Sequence, residues 1–590
     1  MQNAVAFADN DVVLIAWSYG RKLPGCMGFA VYRIDAAGKE TPLPSMAVFP
    51  GTRRLPAQTT AQFPIQKFYW KDPYARLIAG KGNRTFRYRI VPLEGKPGKL
   101  TPMRVGFAIS NEVTLSPQVG PGLQAYFNRG LISTQRVSRA MDGHPDKESL
   151  LSMVTVPGNA MRKSLAGDMI AALLDFVARA GKGGTLYAAL YELGDDELIS
   201  ALEKVGKKLH LILSNPKASD QQSASGITDG NDASRKRLRA TAGELIDRMA
   251  PDNHIAHNKF LVYVDAKGKP QAVLFGSTNW TSTGLCTQTN NTIASDDAAL
   301  AKCYFDYWHQ LAADTDAAGG TAKSLQGTKL RTWNAKSRLI KQADGSTVTS
   351  WFSPNTPKPR GRTRAGEVRP PDMEEVAALI ADARHAVLFL AFYPGTPSIV
   401  NWVAEAQKAN DKLFVRGCVT NPSTAAGFLY ELQGVEPPKR MKEDPPGKQD
   451  PRVISAKALT SVVPSGWQKE ILSAGFAVTH DKIVVIDPFS DDCVVVTGSH
   501  NLGYKASYDN DDNLAIFKGQ QALAQAYATH VLDIYDHFSW RWMVQQNGQK
   551  AADTMLSTTP DEWQSKYFGD KGEIRSAQLR FWLEAVPAIR

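Results

Sequence analysis

The feature that most constrains this 590-residue chain is a motif that occurs twice, each time on an apolar strand. In the C-terminal half, His480-Asp481-Lys482 opens the run KIVVID and Asp487 closes it. A short turn then leads through CVVVT to Gly498-Ser499-His500-Asn501. The N-terminal copy is His257-Asn258-Lys259 on KFLVYVD, with Asp265 at its end and Gly276-Ser277-Thr278-Asn279 beyond. Residues two apart on a strand share a face, so His480 and Lys482 project together, as do Ser499 and Asn501. Each copy therefore collects an imidazole, an ammonium, a hydroxyl and an amide, with a glycine that allows close approach. That set suits a tetrahedral phosphoryl group. Lys and Asn hold non-bridging oxygens, and His attacks or protonates.

His480 follows His257 by 223 residues, the length of one α/β domain. The texture around each copy also repeats, with amphipathic helical stretches alternating with short apolar strands. In the first half the helical stretches are GLQAYFNRGLISTQRVSRAM, SLAGDMIAALLDFVARA, DDELISALEKVGKK and RKRLRATAGELIDRM, and the strands are TLYAALYEL, LHLILSN, KFLVYVD and AVLFGS. In the second, MEEVAALIADA leads to AVLFLAFY and IVNWVAEAQKA to KLFVRGCVT. This is an internal duplication with a long period. Residues 1–118 read differently. DVVLIAWSY, GFAVYRID, FPIQKFYW, TFRYRIVPL and MRVGFAIS are short β-branched and aromatic runs between turn residues, which predicts an antiparallel sandwich of immunoglobulin or fibronectin type. The expected fold is thus multidomain: an all-β sandwich (1–118), then two duplicated α/β domains (119–345 and 346–590). The Pro- and Arg-rich stretch within 345–370 is the expected seam, and 215–234 and 434–452 the expected surface loops.

The balance of 69 basic against 58 acidic residues gives a formal net charge of +11, which favours anionic partners. Five scattered cysteines without Cys-x-x-Cys spacing argue against a disulfide framework or a zinc cluster. The start MQNAVAFADND lacks a basic n-region and an uninterrupted apolar run, and the apolar runs are too short to span a bilayer. The expectation is a cytoplasmic protein, with signal-less secretion as the other route.

The doubled HxKxxxxD…GSxN pattern resembles the signature of the phospholipase D superfamily. The C-terminal copy matches it throughout; in the first, five residues rather than four separate Lys259 from Asp265. A one-residue slip changes the face presented, which a bulge would restore. After Asn501, LGYKASYDNDDNLAI places Asp511 or Asp512 where the family carries an acid that orients a motif His through its second nitrogen. After Asn279, Asn290 and Asn291 occupy the corresponding place. The resemblance implies a covalent phosphohistidine, with His257 as nucleophile and His480 as acid and base. Lys259, Lys482, Asn279 and Asn501 would stabilise charge, supported by Ser277, Ser499, Asp265, Asp487, Asp512 and Asn291. It implies no metal or other cofactor, and a site complete in one chain without dimerisation. Phospholipid head groups are the favoured substrate class, with peripheral contact to an anionic membrane. A nuclease acting on DNA or RNA is the second reading, and a catalytically weak binding protein the third. The β module's protein partner is not legible. His500 reads as a rim residue, His254 as a loop residue, Arg235–Arg239 as a solvated helix face, and Trp540 and Trp542 as packing on the last helix.

Overall fold

The computed structural model describes residues 3–585 except 54, 81, 131–146, 217–228, 252, 362, 364–365, 437–449, 457–477 and 548–555. Much of the two expected surface loops, the end of the first expected helix and part of the Arg-rich seam lie outside the described residues.

The N-terminal region is β-rich. Strands Asn3–Ala8, Val13–Ser18 and Tyr69–Asp72 form one antiparallel sheet. Glu40–Pro42, Gly28–Ile34, Thr85–Lys96 and Lys99–Pro102 form a second, with Ala108–Ile109 and Val113–Thr114 paired to its longest strand. FPIQKFYW and MRVGFAIS contribute only Tyr69–Asp72 and Ala108–Ile109 as strand. Ile15, Trp17, Phe29, Val31, Tyr88 and Ile90 share a core. That core is completed by the other end of the chain: Trp563, Tyr567, Phe568 and Leu579 are buried in it, and the Trp563 indole donates to the Cys26 carbonyl at 2.9 Å. The expected extent of the last unit, to residue 590, therefore does not follow the packing. Large aromatics bury wherever matching apolar surface is on offer, whatever their place in the chain.

Two eight-stranded sheets follow. The first runs, edge to edge, Gln118–Gly120, Leu123–Phe127, Asn291–Ser295, Pro270–Gly276, Lys259–Val264, Thr185–Leu190, Leu209–Ser214 and Glu244–Arg248. The second runs Arg338–Lys341, Thr347–Phe352, Asn513–Lys518, Val494–Gly498, Lys482–Ile486, Ala386–Ala391, Phe414–Val419 and Val453–Ser455. The two orders match strand for strand. Each sheet buries both faces, which is why the motif strands are apolar throughout rather than alternating. Phe260 and Val262 enter a core shared with Ile483 and Val485, while Leu261 and Val484 face separate outer cores. Helices Ala298–Ala317 and Gln521–Asn547 contribute Tyr304, Tyr307, Tyr527 and Val531 to the shared core. Among the described residues no helix is long and apolar enough to cross a membrane.

Three expectations are corrected. The helix predicted from Gly122 starts as a strand, because Leu123, Ala125 and Phe127 alternate inward and pair with Asn291–Ser295. RKRLRATAGELIDRM splits into helix Asp232–Thr241 and strand Glu244–Arg248. The break falls at Gly243, where a Cβ would lie 2.2 Å from the Lys207 carbonyl oxygen. The expected seam lies inside the second sheet's unit, since Arg338–Lys341 and Thr347–Phe352 precede it as a hairpin of that sheet. Ser353, Asn355 and Thr356 are buried, and Ser353 N–H donates to the Asp512 carbonyl at 3.0 Å.

Candidate active site

Both motif strands end against the opposite half. Ile255–Ala256 pairs in parallel with Asn510–Asp511, and the His257 N–H donates to the Asp511 carbonyl at 2.9 Å. Thr289 bridges to Thr479, and the His480 N–H donates to the Thr289 carbonyl at 3.1 Å. These crossed contacts bring two residues 223 positions apart to ring centroids 6.5 Å from each other, inclined at 69°.

The side-chain partners are crossed as well. His257 Nδ1 lies 2.9 Å from Asp512 Oδ1. Asp512 also accepts from Ser499 Oγ at 2.6 Å and from Asn510 Nδ2 at 3.2 Å. Burial opposes its charge, but the attraction and hydrogen bond of His257 hold its carboxyl at about 2. A carboxylate only accepts, so Nδ1 of His257 carries the proton and Nε2 keeps its lone pair. Burial, reinforced by Lys259, lowers the His257 imidazole to about 4.

His480 Nδ1 lies 2.8 Å from Asn290 Oδ1. Asn290 Nδ2 donates to the Gly284 carbonyl at 2.8 Å, which fixes the amide so that its oxygen meets His480; that oxygen also accepts from Ser277 Oγ at 2.9 Å. Burial first, then Lys482, Lys259 and His257, push His480 well below its ordinary range. Asn290 is thus the counterpart of Asp512. Asn291, the expected supporting residue, sits one layer behind. It donates to Asp481 Oδ1 at 3.0 Å and accepts from Thr497 and Tyr527.

The lysines face the same space. Lys259 Nζ donates to the His257 carbonyl at 2.7 Å and Lys482 Nζ to the His480 carbonyl at 2.5 Å. Each ammonium lies 5.0 Å from an aromatic centroid, Tyr191 and Phe392 respectively. Burial lowers Lys259 to about 7, and burial with repulsion from Lys259 lowers Lys482 well below its usual value. Asn279 and Asn501 each present a buried Oδ1 with no partner among the described residues. Gly498 (φ 144°) and Gly276 let the strands close: a Cβ on either would lie 2.3 Å from the carbonyl oxygen of Asn513 or Asn291.

The motif aspartates lie elsewhere. Asp487 stands at the far end of its strand from Lys482, about 17 Å along extended chain. It accepts from the N–H groups of Arg384, His385 and Ala386 at 2.8–2.9 Å. Asp265 accepts from the N–H groups of Lys267 and Lys269, both at 2.9 Å. The extra residue lengthens the motif strand, Lys259–Val264 against Lys482–Ile486, and the register shift beside it leaves Gln271 of the partner strand unpaired. Both carboxylates tie strand ends and neither faces the histidines. His500 is not at a rim: it is buried, with Nε2 3.0 Å from Ser507 Oγ and 3.3 Å from Asp372. His254 meets Gln326 at 2.6 Å. The basic run is paired rather than free, Arg235 with Asp229 and Asp247, Arg237 with Glu203 and Arg239 with Asp247. Trp540 is exposed and Trp542 packs on the shared core.

Sequence reasoning missed Glu192. It follows strand Thr185–Leu190, next to the motif strand, and Asn279 Nδ2 donates to its Oε2 at 2.5 Å. Burial raises its carboxyl, while Lys259 and Lys482 act against that rise. The usable signal was position, since the carboxyl ends of sheet strands are where ligand-facing side chains collect. Among the described residues no group of three or more His, Cys, Asp or Glu could hold a metal ion.

Residues 376–534 match the family model described as cardiolipin synthase, PLD-like domain. That stretch holds His480, Lys482, Asn501 and Asp512. No curated protein matches the chain. Similar solved structures include a phosphatidylserine synthase from Haemophilus influenzae (12% identity, 66% of this chain and 94% of that one, TM-score 0.40). The phospholipase D family member Nuc from Salmonella typhimurium is also similar (16%, 32% and 95%, TM-score 0.21), as is the yeast tyrosyl-DNA phosphodiesterase (10%, 60% and 88%, TM-score 0.30).

Proposed function

We propose that the chain is a phosphodiesterase of the phospholipase D superfamily, built by internal duplication, that cleaves or transfers phospholipid head groups through a phosphohistidine. The observation that carries this reading is the pair of imidazoles 6.5 Å apart with both Nδ1 atoms engaged behind them. The Nε2 of His257 is left to bond phosphorus, while that of His480 lies 3.1 Å from Lys482 Nζ. His257 attacks, because Asp512 stabilises the positive charge an imidazole gains on bonding to phosphorus. His480, backed only by a neutral amide, is the stronger acid once protonated and gives its proton to the leaving oxygen. It then takes a proton from water or an alcohol, whose oxygen displaces His257 from phosphorus. Lys259, Lys482, Asn279 and Asn501 hold the non-bridging oxygens, with Ser277 and Ser499 fixing Asn290 and Asp512.

The matching strand orders and crossed contacts support the duplication. We assign the first unit to 119–337, the second to 338–547, and a β module to 3–118 completed by 556–585. One chain supplies both halves, so the site needs no dimer. The family model's name favours a phospholipid, and the net charge of +11 suits an anionic membrane surface.

The test compares wild type with His257→Ala and His480→Ala on phospholipid vesicles and on single- and double-stranded nucleic acid, with EDTA throughout. Turnover of lipid by wild type and a loss of at least about 10³-fold in each variant are expected. Turnover that survives in both variants, or that EDTA abolishes, overturns the mechanism. Cleavage of nucleic acid alone moves the substrate to a nuclease's, and binding without turnover leaves a binding protein.

A further inference from the structure

The two halves of the pocket differ at one wall position. Strand Thr185–Leu190 pairs with the first motif strand so that Leu190 stands opposite Lys259. Ala391 stands opposite Lys482 in the same way. Counting on from these pairs, Tyr191 matches Phe392, and both rings pack on a motif histidine, at 5.0 and 4.6 Å. The next residue is Glu192 in one half and Tyr393 in the other. Glu192 is only partly covered, whereas the surrounding His257, Lys259 and Asn279 are buried. It lies within the electrostatic reach of both motif lysines, so it stands at the shared pocket rather than outside it.

A carboxylate there is costly for a site that holds only a phosphodiester. It repels the substrate's own negative charge and draws on the lysines that would neutralise it. It also occupies one N–H of Asn279. Its Oε2 is engaged by that amide, and no hydrogen bond to Oε1 is present among the described residues, which leaves an acceptor oxygen on a side chain that is only partly covered. An acceptor beside a phosphate site matches a substrate that carries a hydrogen-bond donor next to its phosphate.

We propose that Glu192 is a specificity-determining residue that accepts a hydrogen bond from a hydroxyl or ammonium group on the alcohol esterified to the phosphate. Resting on the phosphodiesterase reading above, this narrows the substrates to phosphodiesters of amino alcohols or polyols. Esters of simple alkanols are disfavoured. A hydroxyl and an ammonium offer the same donor chemistry, and the ammonium adds attraction to the carboxylate.

Equilibrium binding tests this without turnover. The probes are phosphoethanolamine, glycerol 3-phosphate and ethyl phosphate, titrated into the full chain by calorimetry. Wild type is expected to bind the first two at least tenfold more tightly than ethyl phosphate. In Glu192→Gln the phosphoethanolamine preference falls at least tenfold, and in Glu192→Asp it is partly kept. An advantage for phosphoethanolamine alone in wild type identifies the ammonium as the donor read, and equal advantages identify the hydroxyl as sufficient. Equal binding of all three by wild type overturns the inference, as does an unchanged preference in Glu192→Gln. Hydrolysis of bis(p-nitrophenyl) phosphate that survives in both His257→Ala and His480→Ala would sink the phosphohistidine reading while the binding ratios still report on Glu192.

Discussion

Replacing Asp512 by Asn makes the two halves alike, because Asn290 already fills the corresponding place behind His480. Asp512 is held near 2 against an ordinary 3.8, a difference equivalent to about 2 kcal/mol of interaction with its surroundings, chiefly His257. If that attraction acts on the phosphorylated, cationic His257, its loss slows formation of the intermediate by about 30-fold. The assay is rapid-quench kinetics with bis(p-nitrophenyl) phosphate, reading the p-nitrophenolate burst and the base-quenched, acid-labile p-nitrophenylphosphoryl protein. The double exchange Asn290→Asp with Asp512→Asn sharpens the test. It moves the carboxylate behind His480, and mass spectrometry should then find phosphate on His480. Stability carries a second signature. The folded-state value is depressed, so this carboxylate stabilises the protein above about pH 4 and that contribution is lost as pH falls toward 2. Acid unfolding of Asp512→Asn should lack that share of its pH dependence. A burst unchanged within twofold, or phosphate that stays on His257 after the exchange, refutes the assignment of the nucleophile.

Lys259→Met should abolish turnover yet raise the thermal unfolding midpoint at pH 6 by about 2 °C. The ammonium is lowered to about 7 by burial, so it costs stability below its unfolded value of 10.5, and the gain should shrink as pH rises from about 7 to about 10 in differential scanning fluorimetry. Trp563→Ala removes a buried ring from the β module's core and should cost about 3–5 kcal/mol of that module's stability; limited proteolysis is expected to release the C-terminal segment before the sheets are cut.

The pairing of His and Lys on each motif strand was legible in the sequence because it depends on local geometry. A strand with period two puts His and Lys on one face, and a duplicated motif states the same set twice. The apolar strands, most helices and the β-rich start follow from the same short-range rules. The failures were local patterns overruled by distant partners. Leu123–Phe127 became a strand because Asn291–Ser295 offered it a ladder, and the C-terminal aromatics left their neighbours for a core at the opposite end of the chain. Asp265 and Asp487 turned out to tie strand ends, since a full strand of extended chain carries each carboxylate well away from the imidazole. What only the tertiary structure decided is which half serves which histidine. Asp512 reaches across 255 positions to His257, and Asn290 across 190 to His480. Neither choice is written in spacing, because a hydrogen bond between strand ends of two sheets depends on how those sheets pack. The same packing brings Glu192, a residue outside both motifs, within electrostatic reach of their lysines.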